Sequence, residues 1–282
     1  RAMEAKQQSL KLDSPQPPLE VKRDADEENT GGSTAGATTS TTGSPSGERR
    51  FSRISQRQNE TATGAYMPGE SLVQLRRTVP QALHCADLVS CAPCVPLSID
   101  AMDAVFFSVQ KAFGMPPGLG VWIANEACMD KARFIKKQGR MIGAYHTLES
   151  YATHYAHFET PSTPNVLAIY LLGKIAEDML HKGIHIIQEE TRHKAALLYS
   201  FADNHAGCEV WVADKQLRSP TVLVAHVNRP ASEIQAALKQ KGFVIGSGYG
   251  AKKSSQIRIA NFPATSETEI KALLQELGPL LT

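Results

Sequence analysis

Three short, almost wholly apolar runs, ALHCADLVSCAP, MDAVFFSVQ and PPGLGVWIAN, follow one another between residues 82 and 125. A strand that is apolar on both sides cannot face water, so a sheet built from such strands needs cover on both faces. Stretches with helical spacing supply that cover: SLVQLRRTVPQ before the runs and a long tract after residue 160. The pattern predicts an α/β fold with a mainly parallel sheet. With 282 residues, 42% of them hydrophobic, the chain has enough apolar material for one large domain plus a small one.

The remainder of the sequence sorts around that centre. NETATGAYMP reads as a strand end with a turn. TPNVLAIYLLGKIAEDMLHKGIHIIQEETRHKAALLYSFADNH reads as one long helical tract starting at a Ser-Thr-Pro signal, with Pro164 suited to its first turn. Beyond it, EVWVA, SPTVLVAHV and SQIRIANF are predicted strands, and ASEIQAALKQKG and TSETEIKALLQELGPLL predicted helices, which together make a small C-terminal α/β domain. Ser232 is the expected cap of the first of these helices and Gly242 its terminator. Ser266 and Glu269 stand at capping-box spacing in the second. Residues 1–50 are different in kind. Rich in Gly, Ser, Thr, Pro and clustered charge, they bury too little apolar surface to offset chain entropy, and disorder is expected.

A formal net charge of +2, with no basic stripe interleaved with aromatics, gives no case for a nucleic-acid partner. No apolar run is long enough to cross a bilayer, and the opening residues lack a secretory core, so no membrane partner is expected. Five cysteines, an odd number, point to a reduced, cytoplasmic setting. Cys91 and Cys94 form a C-x-x-C without a second pair at metal spacing, and read as small apolar residues beside a strand end. His181, His185 and His193 read as helix-surface residues.

Open α/β sheets bind ligands at the carboxyl ends of their strands. Three such ends carry polar residues here: Asn59, Glu60 and Thr61; Asp87 and Ser90; Ser108, Gln110 and Lys111. A lysine at the end of an apolar strand is costly unless it has a task, because burial disfavours its charge. An amine, an acid, an amide and a hydroxyl at one sheet edge suit an aromatic aldehyde cofactor. The amine can form a Schiff base, and the acid can pair with a pyridinium nitrogen.

Several of these segments, in this order, resemble the class V aminotransferases among pyridoxal 5'-phosphate (PLP) enzymes, and within them the phosphoserine-aminotransferase-like group. NETATG is similar to that group's NET turn, and ADLVSCAP to its D-x-x-S-S motif with Cys91 in place of the second Ser. MDAVFFSVQKAFGMPPGLG resembles its Gln-Lys strand; TPNVLAIYLLGKI and IRIANFP complete the series. The resemblance covers about four fifths of the chain and implies the type I fold of PLP-dependent transferases. It also implies a partial large domain over 51–187, including the start of the linking helix, and a small domain over 188–282. By the same resemblance Lys111 would hold PLP as a Schiff base and move the substrate proton. Asp87 would pair with the ring nitrogen, Thr61 would bond the phenolic edge, and Gln110 would flank the cofactor. Thr163 would reach the cofactor phosphate of a second subunit in a homodimer, and Arg258 would clamp the substrate carboxylate.

Two departures shape the expected activity. GSGYGAKKSSQ stands where the family has a His-Arg pair for the substrate phosphate, which widens the expected amino donors to phosphoserine, serine, alanine or glutamate, with a 2-oxo acid as acceptor. The family's N-terminal part of the large domain, with its phosphate-binding turn, has no counterpart before the NET segment. Two alternatives follow: a truncated paralogue that acts by binding, and a cysteine desulfurase-like lyase, against which Gln110 argues by standing where those enzymes carry His.

Overall fold

Alternation of inward and outward side chains sets the first strand: in β1 (Arg53–Arg57) Ile54 and Gln56 are buried and the residues around them exposed. The computed structural model describes residues 53–140, 143 and 147–282. The low-complexity segment 1–50 therefore lies outside the described residues. After β1, the NET sequence forms a small hairpin from β2 (Asn59–Glu60) and β3 (Ala65–Tyr66). Helix α1 (Gly69–Thr78), then β4 (Leu83–Asp87), β5 (Ala104–Ser108) and β6 (Gly120–Ala124) follow.

The four long strands form a sheet in the order β1-β4-β5-β6. β1, β4 and β5 run parallel; β6 returns antiparallel to β5. The three apolar runs are thus strands as expected, but the last does not join the parallel set. Its connection from β5, Val109–Leu119, holds no helix and is too short for the crossover that parallel strands require. Both faces are covered. On one side Leu72 of α1 packs with Ala86, Leu88, Cys91 and Val105. On the other, Ala104 and Ala124 meet Cys128 of α2 (Glu126–Lys137) and Leu148 and Tyr151 of α3 (Leu148–Tyr155).

The long helical tract is two helices, α4 (Val166–Lys182) and α5 (Ile184–Asn204). Gly183 takes φ +95°, a left-handed value that ends α4, so the tract bends where one continuous helix was expected. The start is also corrected. Asn165 caps α4, its side chain accepting from the Ala168 N–H at 3.0 Å, and Pro164 precedes the helix rather than opening it.

The C-terminal part comprises β7 (Cys208–Val210), β8 (Val222–Val227), α6 (Ala231–Gln240), β9 (Gly246–Ser247), β10 (Gln256–Ala260) and α7 (Glu267–Leu277). Its strands pair antiparallel throughout, in the order β7-β8-β10-β9. Leu198 of α5, Leu238 of α6, Ile257 of β10 and Leu277 of α7 share one core. Ser266 and Glu269 form both halves of the capping box, and Gly242 at φ +87° follows the end of α6. Ser232 is not a cap: Pro230 holds that position without a side-chain bond, and the Ala231 N–H is satisfied instead by the Ser254 carbonyl at 2.8 Å. Among the described residues no helix is long and apolar enough to cross a membrane.

Candidate active site

Parallel pairing brings the polar strand ends to one edge. Arg57 of β1 is in register with Asp87 of β4, and Asp87 with Phe106 of β5. Just past β5 comes Lys111, half-buried, its carbonyl accepting from the Gly114 N–H at 3.0 Å to close a tight turn. Gly114 has φ +66°, a conformation that suits a residue without Cβ. Among the described residues the Lys111 amine makes no hydrogen bond or ion pair. Gln110 beside it is exposed.

The Asp87 carboxylate is mostly covered, with a side-chain exposure of 13%. One oxygen accepts from the Val89 N–H at 2.9 Å, and the other lies 3.5 Å from Arg57 Nε. Arg57 also pairs with Glu60. Among the described residues two buried oxygens at these strand ends have no partner: Ser108 Oγ and Asn59 Oδ1. Native proteins rarely bury polar atoms unsatisfied, so such atoms call for a ligand or water. A lysine without a partner, a carboxylate, a threonine and orphaned oxygens form the donor and acceptor set that an aldehyde-bearing pyridine needs. The residues present therefore fit PLP.

The NET hairpin owes its shape to the C-terminal sheet. Its Gly64 carbonyl accepts from the Ser219 N–H at 2.8 Å. At φ +71°, a Cβ on Gly64 would sit 3.1 Å from both the Val222 carbonyl and Val224 Cγ2. Only glycine meets both demands. Thr221 Oγ1 donates to the Ser90 carbonyl at 2.6 Å, and Asn59 Nδ2 donates to Ser90 Oγ at 2.9 Å. Arg258 reaches across from β10. Its Nη1 donates to the Thr61 carbonyl at 3.4 Å, its Nε donates to the Ser247 carbonyl at 2.5 Å, and its guanidinium lies 4.1 Å from the centre of the Tyr249 ring. Thr61 and Arg258, far apart in sequence, are thus brought together.

Thr163 is not brought to Lys111 by any contact among the described residues; it is exposed, just before α4. Val166, Leu167, Ile169 and Tyr170 of α4 are exposed with it. Lys252 stacks over Trp211 at 5.3 Å, and Lys253 is exposed. Cys91 and Cys94 are buried free thiols. Burial pushes the Cys91 thiol far up and Cys94 to about 11, which keeps both protonated and unreactive. Among the described residues no group of three or more His, Cys, Asp or Glu is placed to hold a metal ion. Sequence reasoning missed Arg57, Thr221 and Tyr249. Only Tyr249 carries a local signal, its flanking glycines in GYG.

The family model described as aminotransferase class-V matches residues 48–273. Phosphoserine aminotransferase of Nocardioides sp. is 25% identical over 223 residues, which cover 78% of this chain and 59% of that protein. The phosphoserine aminotransferase of Corynebacterium glutamicum is 26% identical over 223 residues, with 78% and 58% covered. Among solved structures, a phosphoserine aminotransferase from Cytophaga hutchinsonii gives a TM-score of 0.77 at 38% identity, over 81% of this chain and 63% of that one. Aspartate aminotransferase from Thermus thermophilus gives 0.71 at 20% identity over 83% and 66%, a likeness of fold alone. The chain spans about three fifths of the length of the curated relatives it matches.

Proposed function

The chain belongs to the class V aminotransferases, and on that premise we propose that it holds PLP at Lys111 and transaminates between a small amino acid and a 2-oxo acid. One observation carries the reading. The Lys111 amine, the Asp87 carboxylate and the orphaned Ser108 Oγ lie at the carboxyl ends of neighbouring strands, and the Arg258 guanidinium is anchored on Thr61 nearby.

When bound, the cofactor ring supplies an electron sink for the bond broken at the substrate α carbon. Lys111 holds the cofactor's aldehyde carbon and, once free, carries the proton from the α carbon and returns it. Asp87, a covered carboxylate, would accept from the ring nitrogen and hold its proton there. The Thr61 hydroxyl donates to the ring oxygen, and Gln110 flanks the lysine. Arg258, a planar donor, takes the substrate carboxylate by two parallel N–H bonds. The exposed apolar side of α4, with Thr163 at its head, supports a homodimer in which Thr163 serves the neighbouring subunit. We divide the labour after residue 187, with the cofactor before it and the carboxylate clamp after it. The names of the relatives support phosphoserine as one donor, and serine, alanine or glutamate stand beside it because the chain has Lys252 and Lys253 where the family has its His-Arg pair. Five unpaired cysteines support a reducing compartment such as the cytoplasm.

A second reading is a paralogue that binds without turnover. Adding PLP to the purified chain, reducing with borohydride and mapping the label by peptide mass spectrometry separates the two. The enzyme reading expects label on Lys111 and none in Lys111→Ala. An unlabelled wild-type chain at saturating PLP leaves the binding paralogue standing.

A further inference from the structure

Arginine side chains are mobile, and a guanidinium must be held in plane to offer a carboxylate two parallel bonds. In Arg258 two of the five N–H groups are committed: Nε to the Ser247 carbonyl at 2.5 Å, and one hydrogen of Nη1 to the Thr61 carbonyl at 3.4 Å. Among the described residues the second hydrogen of Nη1 and both hydrogens of Nη2 make no bond, and these are the donors left for a carboxylate fork. Two bonds, the second at the long limit of a hydrogen bond, leave the group room to tilt. The Tyr249 ring, 4.1 Å from the guanidinium carbon, covers the group at cation–π distance and opposes that tilt. The backbone of Gly246 comes close as well: a Cβ there would lie 3.1 Å from Nη2, a nitrogen the fork uses.

We infer that Tyr249 is a positioning residue: its ring holds the Arg258 guanidinium in the plane that presents the open fork to a carboxylate. The inference rests on the reading of Arg258 as the substrate clamp. Tyr249 is 55% exposed and belongs to none of the three core clusters, so its removal leaves the fold intact. The interaction depends on the ring's π face and not on its hydroxyl, which sets the pattern of variants: Phe restores the role, and Leu, similar in bulk, does not.

Maleate, a carboxylate that cannot transaminate, serves as the probe, titrated against the full chain by ligand-observed NMR. Tyr249→Leu is expected to raise the dissociation constant about threefold to tenfold, as loss of a cation–π contact implies. Tyr249→Phe should stay within about twofold of wild type by the same reasoning, and the thermal midpoints of both should match it. Equal affinity in Tyr249→Leu and wild type, with binding lost in Arg258→Ala, overturns the positioning role and leaves the clamp intact. Maleate bound as well by Arg258→Ala as by wild type, or not bound by wild type at all, overturns the clamp and the positioning role with it.

Discussion

The antiparallel sheet β7-β8-β10-β9 rests on one continuous apolar cluster under α5, α6 and α7, whereas the mixed sheet β1-β4-β5-β6 is backed by two smaller clusters and buries the polar side chains of Gln56 and His84 within its strands. Asp103 is buried beside the same sheet. Asp103 is well served: Arg76 grips it with two bonds at 2.6 and 3.2 Å, and the His84 N–H and Asn125 Nδ2 donate at 2.8 and 2.9 Å. Gln56 is not, since among the described residues neither its amide nitrogen nor its oxygen has a partner. The contrast separates two tasks. The antiparallel sheet is the platform that meets the NET hairpin at Gly64 and carries Arg258. The mixed sheet carries Asp87 at the end of β4 and leads through β5 to Lys111, the residues proposed to hold the cofactor.

The largest effect should come from the platform. Leu238 is fully buried in the C-terminal core. Leu238→Ala is expected to cost about 2 to 5 kcal/mol, measured by urea unfolding. A single transition would show that both sheets melt together, and two transitions would break the comparison into independent units.

Next stands the polar side. Arg76→Met leaves the buried Asp103 charge with its two neutral donors only, a loss on the order of 2 to 4 kcal/mol. Burial alone would raise the Asp103 carboxyl, but the His84 N–H, Asn125 and Arg76 together hold it below its usual range. A lowered carboxyl contributes stability in full above about pH 4 and loses it as pH falls through the lowered value. The gap between wild type and Arg76→Met should therefore be widest near neutrality and narrow in acid. A gap unchanged down to pH 2 would mean that the pair is not what steadies β4 and β5.

The smallest effect has the opposite sign. Gln56→Leu removes two unsatisfied buried atoms at similar volume, and should be neutral or stabilising by up to about 1 kcal/mol in thermal or urea melts. A destabilisation of that size or more would show that Gln56 has a partner in solution, most simply a buried water.

Much of this was legible in the sequence because it is local. Strand positions followed from apolar runs, the end of α6 from Gly242, and the start of α7 from Ser266 and Glu269. The order of motifs carried the family and the choice of Lys111 and Asp87. What escaped depends on connections or on distance. The direction of β6 is fixed by a loop length, and the break at Gly183 by a single backbone angle in a run otherwise suited to a helix. The stack of Tyr249 on Arg258 depends on how a Gly-rich loop folds back onto β10. Thr221 meets Ser90 across 131 residues, a pairing that no periodicity reveals.

Thr61 and Arg258 lie 197 residues apart, and the intervening chain must emerge from the ribosome before they can meet. The Gly64 turn likewise waits for Val222 and Val224 to press it into shape. Contacts of such separation form late, because the chain between them must lose its freedom first. The hairpin that frames Thr61 precedes β10 in the chain, yet it gains its contact with Arg258 only when β10 is in place. A nascent chain can thus have its first sheet and Lys111 in place before Arg258 reaches Thr61.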